Sequence, residues 1–165
     1  MNQGLLVLRL VFGLVMAAHG SQKLFGWFRG YGLNGTGGFL ESIGFRPGRI
    51  FAFAAGSSEL AGGLLIALGF LGPVGPALVL AVMLVAAGTV HRGNGLLATN
   101  NGIEMPLLYA AVAVAVSFTR FGSISVDAVL GLHWSSALVI GVLLAGLAGG
   151  AANLTLRRTA ASKPA

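Results

Sequence analysis

The chain has no cysteine, which excludes disulfides, thiolate catalysis and cysteine-ligated iron–sulfur clusters, so any redox role must use another side chain or a bound cofactor. Charge is scarce too. Asp, Glu, Lys and Arg make up 8% of residues, and only four of them are acidic, against about 25% charged residues in an ordinary soluble domain. A water-soluble globule is thereby excluded. There is no G-X-Y period, so collagen is excluded, and apolar runs dominate, so disorder is excluded. No phosphate-binding loop, G-x-S-x-G elbow, H-E-x-x-H pair or Rossmann fingerprint occurs, which leaves nucleotide hydrolysis and protease chemistry without a foothold. What is present is apolar: the 165 residues are 56% hydrophobic with 27 glycines and a mean hydropathy of +0.89. That is the composition of an integral membrane protein whose helices pack closely.

A hydrocarbon core of about 30 Å takes about 20 mostly apolar residues per helix. Five stretches qualify by pattern, predicting an all-α membrane bundle. Four of them, at residues 4–25, 50–71, 73–90 and 103–118, form a four-helix domain over residues 1–130. The fifth, Ser135 to Leu156, defines a C-terminal helix over 131–156, and residues 157–165 form a basic tail expected to be disordered. Gly72, Pro73 and Gly75 predict a tight turn between the second and third stretches, making them an antiparallel pair. The first stretch has no basic residues before it, carries Arg9 inside it and shows no convincing cleavage site, so it reads as a retained helix and not a signal peptide.

The net charge of +6 reflects topology, not nucleic-acid binding. With five spans, Lys23, Arg29, Arg46, Arg49, Arg92, Arg157, Arg158 and Lys163 share one side, while the loops of the other side hold only Arg120. By the positive-inside rule the N-terminus lies outside and the C-terminus in the cytoplasm, in the inner (plasma) membrane of a bacterial host. In the long first connection, Thr36 to Phe45 fits either a short interfacial helix or an irregular glycine-rich loop.

Titratable groups inside a span cost about 2.5–3.5 kcal/mol on insertion scales, so they face the bundle and need partners. At 100° per residue Arg9, Phe12, Gly13, Met16, His19, Gly20 and Lys23 share one stripe of the first helix. Glu59 shares the narrow face of the second with Gly56, Gly62 and Gly63, about 13 Å in from Ile50. His91 ends the third helix and Glu104 begins the fourth. His19, Lys23, Glu59, His91 and Glu104 are therefore expected to meet at the cytoplasmic mouth. Arg9 is expected to reach inward to Glu59, with snorkelling to outer headgroups as the alternative, while Lys23, Arg49 and Arg92 suit interface anchors. Haem on His19 and His91 lacks a second histidine pair; His19, His91, Glu59 and Glu104 have acceptable ligand types for a metal, but they come from different helices whose spacing the sequence does not give, and no metal centre is expected. Gly146-Leu-Ala-Gly-Gly150 is a small-xxx-small pattern that makes the fifth helix a lid or an oligomerisation surface.

The ordered set Arg9-Leu-Val-Phe-Gly13, His19-Gly-Ser-Gln-Lys23-Leu-Phe-Gly26, Glu59 with Gly62-Gly63, His91, Gly102-Ile-Glu104 and Ser125-Val-Asp127 resembles the DoxX family of small membrane proteins over about residues 4–130. The resemblance implies a four-helix bundle associated with membrane oxidoreduction. Related DoxD-type subunits belong to thiosulfate:quinone oxidoreductase, and some members are linked to superoxide-detoxifying and sulfurtransferase partners. It also implies that Arg9, His19, Lys23, Glu59, His91 and Glu104 form a shared polar core.

The expected function is an accessory membrane subunit of an oxidoreductase complex. Glu59 would carry a proton, His19 and His91 would donate to a quinone headgroup, and Arg9, Lys23 and Glu104 would bind or pair charge. Soluble redox enzymes would meet the cytoplasmic face. Two rivals are a non-catalytic scaffold recruiting such enzymes through Trp27 to Arg49, and a transporter or channel, for which broken helices or repeat symmetry would be expected.

Overall fold

The computed structural model describes residues 2–158, so the tail expected to be disordered lies, from residue 159 onward, outside the described residues. Among the described residues there are seven helices and no strand: α1 (Asn2–Phe25), α2 (Gly32–Ser42), α3 (Gly48–Leu68), α4 (Val74–Gly88), α5 (Glu104–Phe118), α6 (Val126–Val129) and α7 (Ser136–Thr155). This is the all-α bundle that the hydropathy pattern predicts. α1, α3 and α7 are long and apolar enough to cross a membrane. α4 and α5, at 15 residues each, reach about 22 Å, and α4 is enclosed by α3, α5 and α7.

The frame is set by glycines on facing stripes. A Cβ on Gly13 would lie 2.5 Å from the Gly63 carbonyl oxygen, and one on Gly20 would lie 2.5 Å from that of Gly56. Residue numbers rise on α1 as they fall on α3, so the two helices run antiparallel with backbones in direct contact, the most extensive packing in the molecule. Such an approach replaces the hydrophobic drive that lipid removes with close van der Waals contact. α3 ends at Gly69, whose φ of 66° is the left-handed cap that glycine adopts without a side-chain clash, and the expected tight turn at Pro73 follows. A core of Phe12, Met16, Ile66, Val79, Met83, Ala113, Val116 and Phe121 joins α1, α3, α4 and α5.

α2 settles the choice in the first connection: that segment is helical, beginning four residues before Thr36 and ending before Phe45. It lies against the start of α3, where the Gly48 N–H donates to Glu41 Oε1 at 2.8 Å. The end of α7 is tied to the same corner, Arg157 Nε donating to the Ile43 carbonyl at 2.6 Å and the Arg158 N–H to that of Gly44 at 2.9 Å. The small-residue pattern of α7 is used within the chain, since Gly146 and Gly150 face the Ala77 and Ala81 backbone of α4. A homo-oligomer through this helix would have to use its other face, where Leu138, Ile140 and Leu144 are exposed.

Candidate functional site

Glu59 sits on the buried face of α3 with Ala52, Gly56, Gly62, Gly63 and Ile66, and only 2% of its surface is exposed. An ionised carboxylate at that depth needs a partner. Lys23, in the last turn of α1, supplies it: Nζ donates to Glu59 Oε2, the one ion pair found among the described residues. The contact depends on Gly20 and Gly56, whose missing side chains bring α1 close enough for the lysine to reach across.

This pair borders a cavity of about 300 Å³ whose lining includes Met16, His19, Met83, His91, Met105 and Tyr109. His19 stands 6.1 Å from Tyr109, ring to ring, with the planes tilted by 54°. His91 lies in the turn after α4, not in the helix, and its Nδ1 is 2.8 Å from the Asn101 carbonyl oxygen. A carbonyl only accepts, so Nδ1 carries the proton and the Nε2 of neutral His91 presents a lone pair. A second cavity of about 590 Å³, lined by His19, Gln22, Lys23, Arg29, Tyr31, Thr36 and Phe39 among others, adjoins the first at His19 and Lys23 and opens beneath α2.

The structure thus brings together four of the six residues expected to cluster, His19, Lys23, Glu59 and His91, and separates two. Glu104 is turned to the loop before α5, where its Oε2 accepts the Ala98 N–H at 2.7 Å. An uncapped loop donor competes successfully for a carboxylate at a helix start. Arg9 does not pair with Glu59 and does not snorkel. It is 1% exposed, donates through Nη2 to the Ile124 carbonyl, and lies 5.6 Å from the centre of the Phe121 ring. Lys23 is correspondingly more than an interface anchor. It lies one turn past His19 on the α1 stripe and 14 residues past Arg9, a rise of about 21 Å, and its long side chain reaches back to Glu59.

The polar group that sequence reasoning missed is the one around Arg9. Asp127, 4% exposed, accepts the Leu71 N–H at 2.9 Å, the Gly72 N–H at 2.8 Å and Trp134 Nε1 at 2.8 Å, and its charge acts on Arg9. Nε and Nη1 of Arg9 are buried without a protein partner. The signal was present: of the four acids, Asp127 alone falls on the side of the expected topology where α1 begins, and Arg9 lies toward that end of α1. Among the described residues no three His, Asp or Glu side chains converge to hold a metal ion.

The family model of DoxX matches residues 4–92, more than half of the chain. The chain belongs to the DoxX family. No curated protein and no solved structure matches it. In this DoxX protein the matched region carries Arg9, His19, Lys23, Glu59 and His91, and Glu104 and Asp127 lie beyond it. Helices of this length and apolarity in a DoxX chain make it a membrane protein.

Proposed function

We propose that this DoxX protein is an accessory membrane subunit of an oxidoreductase complex, and that the inner cavity binds a quinone headgroup and exchanges protons with it. The observation that carries this reading is the Lys23–Glu59 pair set in one cavity with His19 and His91. Reduction of a quinone to a quinol takes up two electrons and two protons. The electrons would come from a soluble redox partner at the face bearing α2, taken as cytoplasmic with the N-terminus outside and the host membrane as the inner membrane.

His19 and Lys23 supply hydrogen bonds to a carbonyl oxygen of the ring. Neutral His91 plays the opposite part, accepting from a quinol hydroxyl through Nε2, and it donates to a quinone only after taking up a proton. Glu59, released from Lys23 when the lysine turns to the ring, accepts or passes that proton. A cavity of about 300 Å³ is at the small end of ligand pockets, sized for a ring and not for its isoprenoid tail. The tail would extend from the cavity into the surrounding lipid.

The purified full chain in detergent, titrated with a short-tailed quinone analogue, is expected to bind it, and Lys23→Leu is expected to weaken binding at least about tenfold, one lost charge-assisted hydrogen bond. Absence of binding, together with a Glu59→Gln protein that leaves its partner complex fully active, would sink the reading.

A further inference from the structure

The same cavity has a second wall that quinone binding does not use. The chain has four methionines, and apart from Met1 all of them, Met16, Met83 and Met105, line this one cavity. They come from three helices, α1, α4 and α5. Elsewhere the core is filled with Leu, Val, Ile, Ala and Phe, so the gathering of every internal thioether at one place sets this wall apart. Met16 and Met83 are 1% and 6% exposed and pack in the same core cluster, while Met105 is 40% exposed at the mouth.

We propose that this cavity binds a monovalent soft cation, Cu(I), on the thioether sulfurs of Met16 and Met83 and the imidazole of His19, with Met105 as the sulfur that receives the ion at the mouth. Met16 and His19 are three residues apart on α1, a spacing that places two side chains on one helix face with Cβ atoms about 5–6 Å apart, so the two act as a chelating pair and Met83 closes the set from α4. Two of the three histidines are engaged with backbone carbonyls, His91 with Asn101 and His133 with Gly131. His19 has no such bond among the described residues, and its ring nitrogens are available.

Ligand softness decides the metal. Thioether and imidazole suit Cu(I), whereas Zn²⁺ and the harder divalent ions prefer carboxylate, imidazole and thiolate sets, and no three His, Asp or Glu side chains converge among the described residues. Charge agrees. Lys23 and Glu59 neutralise each other at the cavity wall, so a single positive charge enters without a net repulsion, and a second would find no compensating anion. The inference stands apart from quinone binding but shares His19 with it, so the ion and the headgroup exclude one another.

The test is to load the full chain in detergent with Cu(I) under anaerobic reducing conditions and challenge it with a bathocuproine chelator. Wild type is expected to retain one ion per chain, with copper–sulfur scattering in X-ray absorption. Met16→Leu and Met83→Leu, which nearly conserve volume, are each expected to weaken retention by about 100-fold while leaving quinone-analogue binding in place. If the chelator strips wild type as readily as the Met16→Leu/Met83→Leu/Met105→Leu protein, or the spectrum of loaded wild type shows only nitrogen and oxygen neighbours, the proposal is overturned. The spectrum needs no variant, so misfolding of the leucine proteins cannot rescue it. Cu(I) retained without quinone binding sinks only the function proposed above, and the reverse result sinks only this one.

Discussion

The two ends of this bundle were built from the same materials and put to different uses. α1 carries a cation near each end, Arg9 and Lys23, and each lies near a single carboxylate, Asp127 and Glu59. At the end of α1 that carries Lys23, the inner end of the expected topology, the pair borders a cavity, and the lysine side chain keeps 31% of its surface exposed. At the opposite end, the outer one of that topology, Arg9 is sealed under Phe121, and Asp127 is held by three donors from Leu71, Gly72 and Trp134. A charge with room beside it can change partners, whereas one fixed by backbone donors cannot move without opening the fold. The outer group is thus a clamp joining the α3–α4 turn to the segment around α6, and the inner group is the part free to do chemistry.

That contrast can be broken by measurement. The largest expected effect is at the clamp: Asp127→Ala leaves the three donors of Leu71, Gly72 and Trp134 without their acceptor and Arg9 without its neighbouring negative charge, and should destabilise the protein by about 3–5 kcal/mol, read from unfolding in detergent. A loss near zero would make the outer end as dispensable as a surface pair. Next comes the frame beneath both ends. Gly63→Ala sets a methyl group against the Gly13 backbone and should cost about 1–3 kcal/mol, with the inner cavity losing ligand affinity as α1 moves off α3. Glu59→Gln is expected to cost only about 1 kcal/mol of stability, because Lys23 can turn toward water. A stability loss as large as that of Asp127→Ala would show the inner pair to be a second clamp. Trp134→Phe removes one bond to Asp127 and should cost about 1 kcal/mol. Glu104→Gln, outside both groups, should stay within about 0.5 kcal/mol in the same unfolding measurement and leave ligand binding unchanged.

Much of this was legible in the residues. The apolar lengths placed all five main helices, and the 100° stripe of α1 put Met16, His19 and Lys23 on the face that meets Glu59. The glycines of α3 foretold the close contact with α1. Partner choice was less legible. Arg9 looked able to reach Glu59 because helical wheels locate a residue around an axis but give only rough depth along a neighbouring one, and some 21 Å of rise separates Arg9 from the lysine that reaches it. Asp127 was hidden by its position in α6, a helix of four residues, too short for a period that would indicate which way a side chain points. Glu104 had the right helix and the right end, but a loop N–H six residues back took it first.

Sequence alone determined the solvent this protein lives in and the places and faces of its five long helices, because those follow from local composition and a fixed period that hold whatever the neighbours do. Which charge meets which was decided only in three dimensions. That outcome depends on the glycine-set register between α1 and α3 and on the loop donors near each acid, and both arise from segments far apart in the chain.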